Sequence, residues 1–100
     1  MNEKLTGARR QIALRELHGW AEVEDRDAVR KTFHFSDFSQ AWAFMSRVAL
    51  LAEKSNHYPE LFNDFNRVEV ILATAEADGL TQRDVDMGRH IEQFAPQHDK

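Results

Sequence analysis

After Ser36-Asp37, apolar side chains recur every three or four residues, at Phe38, Ala41, Trp42, Met45, Val48, Ala49 and Ala52. That spacing follows the turn of an α-helix and predicts one long helix whose stripe belongs to the core. Ser36-Asp37 supplies a side-chain acceptor for the amides of the first turn, which need a partner from outside the helix. Phe44 and Leu51, seven positions apart, form a second, thinner stripe beside the first. Either this stripe is a subunit contact that a single sheet leaves uncovered, or the helix face is wide and wholly buried within one subunit.

Shorter patterns flank this helix. From Gly7 to Leu17 the apolar Ala8, Ile12 and Leu14 mix with Arg9, Arg10, Arg15 and Glu16, a helical composition that stops before His18-Gly19, where glycine suits a helix end. Trp20 to Val23 and Ala28 to Phe35 carry aromatic and β-branched residues on either side of Glu24-Asp25-Arg26-Asp27. They predict a hairpin closed by that charged turn. Within Phe65 to Thr74, Val68, Val70 and Leu72 alternate with Arg67, Glu69 and Ile71, as in a strand with one face mostly buried. Asp78-Gly79 marks a turn, and Thr81-x-x-Asp84 resembles a capping box with Asp in place of Glu. It opens a last helix that turns Val85, Gly88, Ile91 and Phe94 inward and stops at Pro96.

The order is helix, hairpin, helix, strand or strands, helix, which predicts an α+β fold with helices on one face of an antiparallel sheet. A chain of 100 residues fills one core, so residues 1–100 are read as one domain. With 13 Lys and Arg against 17 Asp and Glu, the net charge of -4 leaves no broad basic face for a phosphate backbone. Nucleic-acid binding is therefore not expected. The absence of Cys rules out disulfides, a thiolate nucleophile and Cys-rich zinc sites, and points to the cytoplasm. The polar start Met1 to Arg10 does not look like a signal peptide, and the apolar run Val48 to Ala52 is far short of the roughly 20 residues that cross a bilayer. No membrane association is expected.

Without Cys, acid-base chemistry falls to the 5 His, the carboxylates, Tyr58 and hydroxyls. His18, His90 and His98 are read as surface residues, and His34, between Phe33 and Phe35, as either a half-buried structural residue or a pocket wall. His57 stands apart because it follows the long helix and precedes Tyr58-Pro59, where the residue before proline is pushed into extended backbone. It is either a cleft residue or a simple helix C-terminal cap. Glu53 lies four positions earlier, a spacing that would let its carboxylate orient the imidazole. There is no HExxH, EF-hand loop or phosphate-binding Gly-rich motif, so no metal is expected and no phosphate cradle is offered.

Around His57 the chain resembles the pterin-4a-carbinolamine dehydratase family, whose vertebrate member also serves as a dimerization cofactor of a homeodomain transcription factor. The resemblance runs from about Trp20 to Ala95 and is carried by Phe33-His34-Phe35-Ser36-Asp37-Phe38, Phe44-Met45-Ser46-Arg47-Val48-Ala49-Leu50 and Ala52-Glu53-Lys54 leading to His57-Tyr58-Pro59-Glu60. Phe62-Asn63, Asn66-Arg67-Val68, Thr74, Gly79-Leu80-Thr81, Arg83-Asp84 and Ile91-Glu92-Gln93 continue it. It implies a four-stranded antiparallel sheet with three helices packed on one face, and homodimers or homotetramers. It also implies a lyase that dehydrates 4a-hydroxytetrahydropterin to quinonoid dihydropterin in tetrahydrobiopterin recycling, without metal or organic cofactor.

Carried over residue by residue, His57 matches the first His of the family's His-His-Pro motif, Pro59 its proline, Asp84 the later acidic residue and Glu53 the acidic residue four before the His. The resemblance thus implies His57 and Tyr58 as catalytic and Glu53 and Asp84 as supporting. It places substrate contacts on His57, Tyr58 and Pro59 and on Thr74, Ala75, Glu76 and Ala77. Two positions depart from the pattern: Tyr58 stands where the motif has its second His, and Ala75 where the active site has a later one. Tyr is a poor base at neutral pH and Ala has no acid-base group, so the resemblance implies reduced activity. The alternative is a catalytically impaired pterin-binding or protein-interaction module of the same fold.

Overall fold

The structure is a computed structural model that describes residues 3–96. Its elements follow the order α1 (Gly7–Glu16), β1 (Ala21–Glu22), β2 (Val29–His34), α2 (Phe38–Ser55), β3 (Glu60–Asp64), β4 (Arg67–Leu72) and α3 (Gln82–Glu92), with a short 3-10 turn at Ala75–Ala77. The strands form one antiparallel sheet in the order β1-β2-β4-β3. Its central pair shows the expected alternation: Val29 and Phe33 on β2 and Val68, Val70 and Leu72 on β4 are wholly buried, and Arg30, Thr32 and His34 turn away. The register sets Phe33 opposite Val68, so both lie on one face. Ala13 and Leu17 from the α1 region, Phe44 and Val48 from α2, and Val85 and Ile91 from α3 join that face in one core. Three helices thus cover one face of a four-stranded sheet, and His34 lies on the other. His18 and His90 are exposed, and His98 lies outside the described residues.

Asp37 begins α2 as its composition predicts, its carboxylate accepting the Gln40 amide at 2.8 Å. The buried arc of α2 differs from the expected one. Ala41, Phe44, Val48 and Ala52 point into the core, and Leu51 packs against it, whereas Phe38 and Trp42 are 46% and 58% exposed. Phe44 is therefore not an exposed subunit contact. Its ring lies 4.9 Å from that of Phe33 and 5.0 Å from that of Phe35, and this aromatic cluster fixes which flank of the helix faces the sheet. Phe38 and Trp42 pack on each other outside, with ring centroids 5.7 Å apart.

The strand expected over Phe65 to Thr74 is β4, and a separate edge strand, β3, precedes it. Phe65 takes a left-handed φ of 54° in the turn between them, where the Asn63 side-chain amide donates to the Phe65 and Arg67 carbonyls. On α3 both arms of the Thr81/Asp84 capping box are made. Gly88 lets α3 approach α1 closely, since a Cβ there would lie 2.7 Å from the Leu17 side chain. The Trp20 indole N–H and the Lys31 ammonium both donate to Glu92, at 3.0 Å and 2.6 Å, and tie the sheet to the end of α3. No helix among the described residues is long and apolar enough to cross a membrane.

Candidate active site

Asn56 ends α2 in the left-handed conformation, with φ 52°, which asparagine tolerates better than most residues. The turn takes the chain off the helical path. The His57 amide still bonds the Ala52 carbonyl at 3.2 Å, but its side chain swings inward and is only 6% exposed. Tyr58, held extended before Pro59, points the other way and is 56% exposed.

The imidazole meets Asp84, a fully buried residue of the first turn of α3, with Nε2 to Oδ1 at 2.7 Å. The other oxygen, Oδ2, accepts the Thr74 hydroxyl at 2.8 Å and the Thr81 amide at 3.0 Å. One carboxylate therefore closes the capping box of α3 with Oδ2 and receives the histidine with Oδ1. Burial makes this pairing consequential, because a buried polar group left without a partner costs about 1–3 kcal/mol.

His57 lies in the wall of an open cleft of about 620 Å³, together with Tyr58, Thr74, Ala75 and Glu76. That volume is in the range that holds small bicyclic ligands. Arg26, from the turn between β1 and β2, also lines the cleft and grips Glu60, at the start of β3, through two hydrogen bonds of 3.0 Å and 2.7 Å. These bonds hold the Glu60 carboxyl below the usual carboxylate range, against a smaller opposing effect of desolvation, and raise the Arg26 guanidinium. A second rim is pinned by Asp27, which accepts from Arg10 at 2.9 Å and from the Leu80 amide at 3.3 Å and raises the arginine. Gly79 passes beside this carboxylate, where an added Cβ would collide with it.

The structure brings His57 and Asp84 together and separates His57 from Glu53. The expected orientation of the imidazole by Glu53 is thus corrected: α2 ends at Ser55, so residues 53 and 57 no longer share a helical face, and Glu53 instead accepts the Tyr58 hydroxyl at 3.4 Å. Thr74 is wholly buried with its hydroxyl turned away from solvent, and its amide and carbonyl bond to Gly79 and to the Ala77 amide. Ala75 and Glu76 are exposed on the cleft wall, with Glu76 3.9 Å from Arg83, while Pro59 and Ala77 are half-buried and do not line the cleft. The sequence reading missed Lys4, Arg26 and Asp27 as cleft residues, for they come from distant segments and carry no local motif, and it quoted Glu60 beside His57 without giving it a place in the cleft. Thr81 had a local signal, its capping spacing, which did not reveal its link to Thr74 at 2.7 Å. No cluster of three potential metal-ligating side chains occurs among the described residues.

Comparisons with known proteins bear on the family and the fold. A protein of Novosphingobium aromaticivorans named "Putative pterin-4-alpha-carbinolamine dehydratase" is 58% identical over 91 residues, which cover 91% of this chain and 95% of that one. A crystal structure titled transcriptional coactivator/pterin dehydratase from Brucella melitensis superimposes with a TM-score of 0.89 at 45% identity, covering 94% of this chain and all of that one. A structure titled a pterin dehydratase-like protein as a RuBisCO assembly factor in the alpha-carboxysome shares the fold, with a TM-score of 0.68 at 22% identity over 80% of this chain and 93% of that one. The family model described as Pterin 4 alpha carbinolamine dehydratase matches residues 3–94, reaching back through α1 and well before the motifs that begin at Trp20. With His57, Asp84 and the cleft on a sheet and helices of this topology, the chain belongs to the pterin 4 alpha carbinolamine dehydratase family.

Proposed function

We propose that the protein dehydrates 4a-hydroxytetrahydropterin to quinonoid dihydropterin and water, in tetrahydrobiopterin recycling, with a lower turnover than a site carrying three imidazoles. The observation that carries this reading is the buried His57–Asp84 pair, 2.7 Å apart, in the wall of the cleft. In the reaction the C4a–O bond breaks and the hydroxyl leaves as water, while the adjacent ring N–H gives up its proton and its electron pair closes the C=N bond. His57 takes that proton, and Asp84 opposite Nε2 stabilises the imidazolium so formed. The same imidazole then returns the proton to the leaving hydroxyl. Tyr58 contributes a hydrogen-bonding hydroxyl and a flat wall, and the pterin edge lies against the Ala75–Ala77 turn. Each missing acid-base group costs about 10²-fold or more in rate, which is the reason for the lower turnover.

The same reading includes self-association and a cytoplasmic setting. Phe38 and Trp42 form an exposed aromatic pair on α2, and a second copy of this chain is the partner they suit. A second functional reading, a pterin-binding or protein-interaction module without efficient catalysis, is favoured by Tyr58 and Ala75 alone.

The test is the disappearance of freshly generated 4a-hydroxytetrahydropterin with the protein, without it, and with His57→Ala. Acceleration that vanishes in the variant is expected; no acceleration over the spontaneous reaction would overturn the proposal in favour of the module. Replacing Tyr58 and Ala75 by His together restores two such groups and is expected to raise turnover by about 10⁴-fold.

A further inference from the structure

The two oxygens of Asp84 are kept to separate tasks, and a count of protons shows what keeps them so. Thr81 Oγ1 accepts the Arg83 amide at 3.2 Å and lies 2.7 Å from Thr74 Oγ1. A hydroxyl has one proton to give. Thr74 gives its proton to Asp84 Oδ2 at 2.8 Å, so the proton between the two hydroxyls is that of Thr81. The chain of donors thus runs one way, from the Arg83 amide through Thr81 and Thr74 to Oδ2. There it joins the Thr81 amide, which arrives at 3.0 Å and cannot rotate. Thr74 is held as well: its backbone is clamped to Gly79 by bonds of 2.9 Å and 3.3 Å, and its wholly buried hydroxyl has its partners in Thr81 and Asp84, so turning away would leave it buried without them. Two fixed donors on Oδ2 set the plane of the carboxylate and leave Oδ1 to the imidazole.

No polar side-chain atom among the described residues is buried without a partner, so His57 Nδ1, which has no protein partner among them, opens to the cleft. We infer that Thr74 is a positioning residue for His57: its buried hydroxyl orients Asp84 so that Nε2–H is the donor to Oδ1 and Nδ1 is the atom that takes the proton from substrate. Thr74 touches no substrate in this role. Its effect on turnover rests on the dehydratase reading, whereas its effect on the imidazole does not.

The experiment pairs Thr74→Val, which keeps the shape and removes the hydroxyl, with Thr74→Ser, which keeps the donor, in chains carrying ¹⁵N-labelled histidine. In the unaltered protein the neutral His57 ring is expected to show Nε2 protonated, with a downfield proton slow to exchange. In Thr74→Val that proton is expected to move upfield and exchange at least about 10-fold faster, and kcat to fall about 10-fold at unchanged KM, as loss of a bond to a charged acceptor implies. Thr74→Ser restores both. A Thr74→Val protein with the original Nε2–H signal overturns the inference, as does a neutral ring protonated at Nδ1. If Thr74→Val does not fold, the Thr74 hydroxyl proton of the unaltered protein decides: slow exchange supports the inference, and exchange as fast as that of an exposed threonine overturns it. A protein without turnover refutes the dehydratase reading alone, because the spectra still report the positioning.

Discussion

Replacing Asp84 by Asn separates the structural work of this residue from its chemical work. The carboxylate takes three donors in a fully buried position: His57 at 2.7 Å, Thr74 at 2.8 Å and the Thr81 amide at 3.0 Å. In Asp84→Ala all three donors lose their acceptor, at about 1–3 kcal/mol each, so the loss is about 3 kcal/mol at the least against the 5–15 kcal/mol that holds a domain together. Asp84→Asn is milder. Its amide oxygen can stay on the Thr74 and Thr81 donors while its NH₂ faces Nε2 of His57, which accepts once the ring carries its proton on Nδ1 instead. Every bond is kept, but at neutral rather than charge-assisted strength, a cost of about 1–2 kcal/mol. For a chain of this size that lowers Tm by about 5–15 °C. Turnover should fall much further, by about 10²–10⁴-fold, because the nitrogen facing the cleft is then protonated and the imidazolium has no counter-charge. Thermal unfolding followed by circular dichroism and initial rates of dehydration measure the two effects on one preparation. A folded Asp84→Asn protein with turnover near that of the unaltered chain would refute the argument, since the His57–Asp84 pair would then contribute only to stability.

Three further outcomes follow from the packing and the charges. Arg26 lowers the proton affinity of Glu60 in the folded state, so the pair stabilises above the ordinary carboxylate range and its contribution is lost as pH falls through the lowered folded value. Both side chains are more than 40% exposed, at 43% and 45%, so screening limits this to about 0.5 kcal/mol. Urea unfolding should show Glu60→Gln less stable at about pH 7 and equal to the unaltered chain near about pH 3, and a gap that widens in acid would contradict the sign. Trp42→Asp removes half of the exposed aromatic pair on α2 and should shift the light-scattering mass toward the monomer; an unchanged assembly would move the contact elsewhere. In Gly88→Ala the gain in helix propensity, about 1 kcal/mol, opposes overpacking against Leu17 of about 1–3 kcal/mol, so a net loss of about 1 kcal/mol is expected by chemical denaturation, and a more stable variant would show that Leu17 has room to move.

What the sequence determined by itself was local. The turn-by-turn apolar spacing of α2, the alternation from Arg67 to Leu72, the Asp37 cap and the Thr81/Asp84 box each involve residues within a few positions of one another, where backbone geometry alone decides the contact. Resemblance of ordered motifs added the family and marked His57. The tertiary structure decided what chain-local rules leave open. Both flanks of the α2 stripe are apolar, and only the fit of Phe44 between Phe33 and Phe35 turned that flank inward and left Trp42 outside. Glu60–Asp64 lacks a strong strand pattern because an edge strand exposed along most of its length needs no continuous apolar face, and pairing with β4 defines it. Glu53 looked like the partner of His57 because it is near in sequence, but a single left-handed residue at Asn56 broke that helical relation. The carboxylate that reached the imidazole came instead from 27 positions away, and the Arg26–Glu60 pair in the cleft lining spans 34. Such pairs are set by how helices and sheet pack, since only packing brings distant segments to hydrogen-bond distance and removes the water that would otherwise compete for their charges.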